Sequence, residues 1–289
     1  MIKQFVILAA LVCLASCSPQ ERVSFEQSPA IDARPFLLES ELLRGISKET
    51  WASFGLKEAA VSTGEVKCVV VPHHSVAATL AAESISRLVE GGPPSVIILA
   101  PNHYNTGAAA VSTTRDFLCY DSRVAVDAAA VKRLSGAGLI SIDDGPFFQE
   151  HSVGMLIPLI AWYLPDAKVI PIIFHHGYDE KKIIEIIDGL TPEIDNGAAI
   201  IASIDFSHYL PMEEAMGKDR EMRGYLLSGD TETIRRLDSS YIDAPTIMTA
   251  LLERFGTGNM EITANTNSGA VMQNPVSPCT SYFTIVFSN

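Results

Sequence analysis

The residues of this 289-residue chain with the most chemistry to offer are its seven histidines, and their placement is uneven. His73 and His74 follow Pro72, His103 follows Pro101-Asn102, and His151 follows Glu150. His175 and His176 precede Gly177, and His208 comes three residues after Asp205. All seven fall at or just past the end of a predicted strand, or in a loop that opens a helix, whereas scattered surface histidines would also occupy the polar faces of helices. Neutral imidazoles that converge in a cleft are the usual ligands of Zn, Fe, Cu and Ni. The spacing in Asp205-Phe206-Ser207-His208 lets a carboxylate orient an imidazole for acid–base work or share a metal with it. The competing account is structural, with single histidines capping helices and covering strand ends. It suits His74, whose side chain should diverge from that of its neighbour His73, and also His175 and the turn residue His176.

The elements needed to gather these groups are visible as apolar runs bounded by breakers. Residues 66–71, 95–100, 168–174 and 198–204 are continuous apolar stretches, the signature of strands buried on both faces of a parallel sheet. Each ends in a loop that carries histidine. Helical spacing between them (76–89 with Ser75 as cap, 126–134, 153–163, and 179–187 with Asp179 as cap) supplies crossovers, so the carboxyl ends of the strands share one side of the sheet. Open α/β sheets bind ligands on that side. His73, His103 and His208 can therefore meet although far apart in sequence. Residues 108–112 read as an edge strand, 212–227, 230–237 and 244–255 as helices, and 260–265 and 280–287 as closing strands.

Composition sets bounds on function. A net charge of -13, with no basic run, argues against a nucleic-acid surface. No G-x-S-x-G elbow, P-loop or Gly-rich dinucleotide turn is present, which removes the commonest hydrolase and nucleotide-binding readings. The N-terminus reads as an export signal: a short charged start, an apolar stretch over 5–14 too short to span a bilayer, then Leu14-Ala15-Ser16-Cys17. Those four residues resemble the bacterial lipobox, in which Cys17 is lipidated and begins the mature protein. We expect residues 1–16 to be a signal peptide, 17–35 a lipidated tether, and 36–289 one α/β domain. The domain would be membrane-anchored at the bacterial cell envelope, facing the periplasm or the cell surface, with one or two short helices over 36–56. Cys68, Cys119 and Cys279 remain, an odd number without CxxC spacing, which is neither a disulfide framework nor a structural zinc site.

Taken together, Pro72-His73, Pro101-Asn102-His103 with Gly107, Glu150-His151-Ser152 with Pro158, Asp205-Phe206-Ser207-His208-Tyr209 and Asn267-Ser268-Gly269 resemble the Memo-like family, known in bacteria and archaea as AmmeMemoRadiSam system protein B. The resemblance spans roughly residues 66–289. It implies an α/β fold with a central, mostly parallel sheet, similar to class III extradiol dioxygenases, which bind Fe(II). It also implies His73 and His103 as metal ligands, His208 as acid–base residue oriented by Asp205, and His151 in the same pocket. The chain departs from the family pattern at His74-Ser75-Val76, where many relatives have Ala-Gly-Tyr. It departs again at Gly154 and at Ala270, where relatives carry an acidic residue or cysteine. The third ligand is thus open among Cys279, Asp205, His208 and His74.

The functional expectation is a metal-dependent enzyme of redox or oxygenase type. Iron is the first choice of divalent metal, with copper or zinc as alternatives, and the partner is an unidentified small molecule or peptide. A non-catalytic metal- or peptide-binding scaffold is the alternative, since some relatives are described in signalling, and a metal hydrolase is a third.

Overall fold

The computed structural model describes residues 36–37, 65–119, 122–274 and 278–289, all within one compact unit, Ala33–Asn289. The expected export signal, Cys17, the expected tether and all but the first two residues of the helices expected over 36–56 lie outside the described residues. Among those described, the strands are β1 (Phe36–Leu37), β2 (Val66–Val71), β3 (Ser95–Asn102), β4 (Ala110–Ser112), β5 (Phe117–Cys119) and β6 (Ser122–Val124). They continue with β7 (Ser141–Ile142), β8 (Lys168–His175), β9 (Ala199–Ser203), β10 (Met260–Asn267) and β11 (Ser281–Ser288).

Eight of these strands form one sheet in the order β10-β11-β2-β9-β3-β8-β4-β7. Its centre, β2, β9, β3 and β8, is parallel. β11 and β10 extend it antiparallel on one side, while on the other β4 runs antiparallel to β8 and β7 parallel to β4. Helices flank the sheet, giving the α/β fold with a mostly parallel central sheet expected from the sequence. The central strands show no alternation because helices cover both faces: every residue of β3 and β9 is buried.

The order of the centre matters most for the site. β2 and β3 are joined by a helical crossover but are not adjacent: β9 lies between them, pairing Ile200 with Cys68 and Ala199 with Val96. Three adjacent strand ends therefore deliver Pro72-His73, Ile204-Asp205 and Asn102-His103 to one place.

Local departures have simple causes. The helix expected over 153–163 is two, His151–Gly154 and Ile157–Tyr163, with Pro158 in the first turn of the second. Proline lacks the N–H a continuous helix needs but fits a first turn. Ser75 caps nothing: a 3-10 turn, Ser75–Ala77, follows His74 and leads into the helix Ala78–Ser86. Asp179 does cap the helix Glu180–Gly189, accepting from the Lys181 N–H. Phe36–Leu37 is a strand rather than helix and pairs in parallel with β5, which with β6 makes a separate three-stranded sheet. β4 is one strand in from the edge, which β7 occupies.

Candidate metal centre

The carboxyl ends of β2, β9 and β3 open into a cavity of about 440 Å³, lined among others by His73, His74, His103, His151, Asp205, His208 and Asp243. His73, Asp205 and Asp243 are almost fully buried at its floor.

The two strand-end histidines are held in defined tautomers. The Ser203 hydroxyl donates to the Ser152 carbonyl at 2.6 Å, so its oxygen is left to accept from His73 Nδ1 at 3.0 Å. That places the proton of His73 on Nδ1 and leaves Nε2 as a bare lone pair. His103 Nδ1 lies 2.7 Å from Glu150 Oε1, and an ionised carboxylate can only accept. In the neutral ring His103 Nε2 is then the lone pair. Glu150 also accepts the His103 backbone N–H at 2.7 Å and caps the helix His151–Gly154 through Ser152 N–H at 3.0 Å. The loop after β3 is closed on itself, with Asn102 Nδ2 donating to Thr106 O at 2.8 Å and Gly107 at φ +76°. A Cβ on Gly107 would stand 3.0 Å from both Asp143 Oδ2 and Pro146 Cγ.

Both lone pairs face Asp243, whose Oδ2 is 3.3 Å from His73 Nε2 and 3.9 Å from His103 Nε2. Neither carboxylate oxygen of Asp243 has a hydrogen-bond partner. An unpaired buried carboxylate beside two imidazole lone pairs is costly as it stands, and either a proton taken up by Asp243 or a cation bound between them removes the cost. Ligand atoms sit about 2.0–2.2 Å from a transition metal, so two ligands of one ion must lie within roughly 4.4 Å of each other. Both separations meet that limit, so Asp243 could share a divalent ion with either histidine.

Asp243 was not among the residues singled out from the sequence. It comes from a loop ahead of the helix Pro245–Phe255 and reaches the site through an isolated bridge between Phe206 and Ile242. The Asp243 N–H completes the attachment by donating to Asp205 O at 3.1 Å. Its one sequence signal was its place just before an Ala-Pro helix start. Glu150 and Ser203 stood in quoted motifs but had been given no role.

The ring nitrogens of His73, His103 and His151 also lie within 4.8 Å of one another, so three histidines could hold an ion. However, the rings of His103 and His151 are stacked, 4.2 Å apart and inclined by 26°. Imidazole lone pairs lie in the ring plane, so stacked rings do not aim at one point, whereas the rings of His73 and His103 stand at 80°. Asp205 does not orient His208. Its Oδ1 instead accepts the His73 backbone N–H at 3.1 Å and its Oδ2 is 3.8 Å from His73 Nε2, while His208 Nδ1 is buried without a partner. The reason is local pairing: the His208 N–H donates to Ser239 O, turning the chain away after Phe206. Of the other candidates for third ligand, Cys279 gives its thiol proton to the Leu210 carbonyl, and His74 bonds Tyr282. Ala270 is exposed on the short helix Ser268–Val271, its N–H held by Asn267. His175 and His176 are tied to the loop after β3, His176 N–H donating to Asn105 Oδ1.

Burial sets the protonation states. It lowers the imidazoles, His73 well below the ordinary histidine range and His151 and His208 to about 4, with the neighbouring His103 adding to each. Burial raises Asp205 to about 7, and raises Asp243 further, aided by the charge of Asp205. Glu150 goes the other way: against burial, its bonds from His103 and Ser152 hold it below the usual carboxylate value. His73, His151 and His208 are thus neutral imidazoles at neutral pH.

The chain matches a family model described as "Memo-like protein" over residues 39–274. It is 27% identical over 222 residues to a "MEMO1 family protein" of Caldivirga maquilingensis, covering 71% of this chain and 77% of that one. It is 27% identical over 263 residues to another of Methanococcoides burtonii, covering 86% and 96%. A crystal structure titled as uncharacterized protein JW3007 from Escherichia coli K12 superposes with a TM-score of 0.49 at 14% identity, covering 76% of this chain and 99% of that chain. With its motifs set around one cavity and most of its length matched, the chain belongs to the Memo-like family.

Proposed function

We propose that the protein is a metal-dependent enzyme of redox or oxygenase type acting on a small molecule bound in this cavity. The observation that carries the reading is the presentation of two imidazole lone pairs, fixed by Ser203 and Glu150, to an otherwise unpartnered Asp243. His73, His103 and Asp243 would hold the metal. Two histidines and one carboxylate with open positions are the donor set of non-haem Fe(II) oxygenases, which puts iron first and copper or zinc second. When bound, such a metal supplies Lewis-acid and redox chemistry on the cavity side.

The chain's own residues do the rest. Asp205 fixes the backbone of His73 and so the direction of that ligand. His208, neutral and lining the cavity, would accept a proton from a bound substrate as general base. His151, stacked on His103, limits the motion of that ligand and lines the cavity.

The test is elemental analysis of the purified full chain beside His73→Ala, His103→Ala, Asp243→Ala and His151→Ala. Near-stoichiometric metal, lost in the first three variants and kept in the fourth, is expected. A wild type that carries no metal, and whose melting temperature no added metal raises, would sink the enzyme reading and leave a non-catalytic scaffold. Activity indifferent to O₂ would point to a metal hydrolase. For location, the apolar run over 5–14 and Leu14-Ala15-Ser16-Cys17 support export and lipidation at Cys17. Labelled-palmitate incorporation that survives Cys17→Ala would refute it.

A further inference from the structure

We propose that His74 is a substrate-positioning residue whose imidazole presents an Nε2–H donor to an oxyanion of the substrate, a carboxylate or phenolate. The inference deepens the reading of the cavity as a substrate site but does not depend on which metal it holds.

The direction of the donor follows from the contact that His74 Nδ1 makes, 2.6 Å from the phenol oxygen of Tyr282. Tyr282 is fully buried, which pushes its phenol pKa up and keeps its proton in place. A phenol is the stronger hydrogen-bond donor of the pair and an imidazole nitrogen the stronger acceptor, so that proton goes to His74 Nδ1. A neutral imidazole that accepts at Nδ1 must carry its own proton on Nε2. His74 lines the cavity and is half-buried, with Nδ1 committed to the wall and Nε2 on the ring's other side.

The contrast with the next residue is the point. Ser203 and Glu150 accept protons and turn His73 and His103 into lone-pair groups, whereas Tyr282 gives a proton and turns His74 into a donor. A donor N–H is useless to a cation but suits an anionic oxygen beside one. Adjacent residues at the end of β2 thereby divide the work, His73 toward the metal position and His74 toward the substrate.

The experiment uses the full chain with histidine-labelled nitrogen, at a pH where these imidazoles are neutral. Long-range nitrogen–proton spectra should show His74 locked as the Nε2–H tautomer in the wild type and released to a mixture in Tyr282→Phe. Benzoate and 4-nitrophenol, at a pH where both are anionic, are the probes (phenol itself, with a pKa of about 10, stays neutral there), with benzylamine as a cationic control. His74→Leu should weaken binding of the anionic probe by roughly three- to tenfold, as for one lost hydrogen bond. His74→Gln, whose amide N–H can stand near the position of Nε2–H, should recover most of it. A response to benzoate alone assigns a carboxylate, and to 4-nitrophenolate alone a phenolate. An Nδ1–H tautomer in the wild type overturns the proposal, as does equal binding of both probes by wild type and His74→Leu. Metal content is read on the same samples. Loss of metal in His74→Leu would make His74 a ligand and refute the positioning role, while a metal-free wild type with the expected tautomer and probe binding would sink the metalloenzyme reading alone.

Discussion

Glu150 is the residue through which the metal centre can be tested without touching a ligand. Its carboxylate accepts the His103 backbone N–H, His103 Nδ1 and the Ser152 N–H that starts a helix, and it is almost fully buried, so solvent does little to weaken these bonds. The helix cap is worth about 1 kcal/mol, and each bond from His103 to a charged acceptor about 1.5–3 kcal/mol. Glu150→Ala removes the acceptor of all three bonds and leaves buried donors behind, so a loss of about 4–7 kcal/mol is expected, a large part of the stability of a domain. Glu150→Gln is the sharper probe. It keeps the shape and one acceptor oxygen but removes the charge that fixes the His103 tautomer and raises its basicity. Loss of such an outer partner typically costs a metal site 10- to 100-fold in affinity, about 1.4–2.8 kcal/mol. Competition against a coloured chelator under anaerobic conditions, with Zn²⁺ and with Fe²⁺, measures the affinity, and urea unfolding of the metal-free protein measures the stability. If Glu150→Gln binds either metal as tightly as the wild type, the tautomer argument for His103 is wrong. If Glu150→Ala unfolds within about 1 kcal/mol of wild type, the three bonds do not exist in solution.

Three further expectations concern the frame. Asp219, on the helix Met212–Ser228, is buried against Asn265 and Ser281, and burial raises its pKa to about 6 from 3.8. The folded state thus holds this proton more tightly than the unfolded chain, so the group favours folding at low pH and its contribution is lost as pH rises from about 4 through 6. The cost above that window is up to about 3 kcal/mol; Asp219→Asn should melt higher at about pH 7.5, with the gain shrinking toward pH 5, and an equal gain at both pH values would refute the assignment. Phe206 is fully buried with its ring 4.5 Å from that of Phe283, and Phe206→Ala should cost about 3–5 kcal/mol in chemical denaturation. Its side chain also backs the bridge to Ile242, so metal affinity should fall with it. Gly107→Ala, at φ +76° and with no room for a Cβ, should destabilise by about 1–3 kcal/mol and loosen His103; a calorimetric scan matching the wild type would show the loop is not constrained as described.

What the sequence disclosed, and what it hid, follows from the distance over which each feature is decided. The central strands were visible because two-sided burial writes itself as continuous apolar runs, and the carboxyl ends of parallel strands necessarily share a side. That was enough to bring His73, His103 and Asp205 together. The insertion of β9 between β2 and β3 is a choice among strand orders that local pattern does not encode. Asp243 was hidden for the same reason: a loop aspartate before a helix looks like a cap, and only the pairing of Ile242 with Phe206 makes it part of the floor. The division of residues 151–163 was legible in Pro158 but was read through as one apolar helix. β5 and β6, three residues each, are too short to leave a period. The relation between Asp205 and His208, natural from their spacing, failed because backbone pairing with Ser239 directed the imidazole elsewhere.

The place of β9 has a consequence for how the protein comes into being. β2 and β3 emerge early in synthesis, but they are not neighbours in the finished sheet, and their histidine-bearing ends are spaced by a strand that emerges about a hundred residues later. Until β9 threads between them, neither Ser203 nor Asp205 is available to fix His73. The Asp243 segment, later still, has no strand end to pair with. A nascent chain of the first 190 or so residues would therefore hold its histidines without a centre. Capture of metal by the proposed centre would in this sense report that the slow, long-range step of folding has finished, and a truncated chain lacking β9 should bind it no better than an unfolded one.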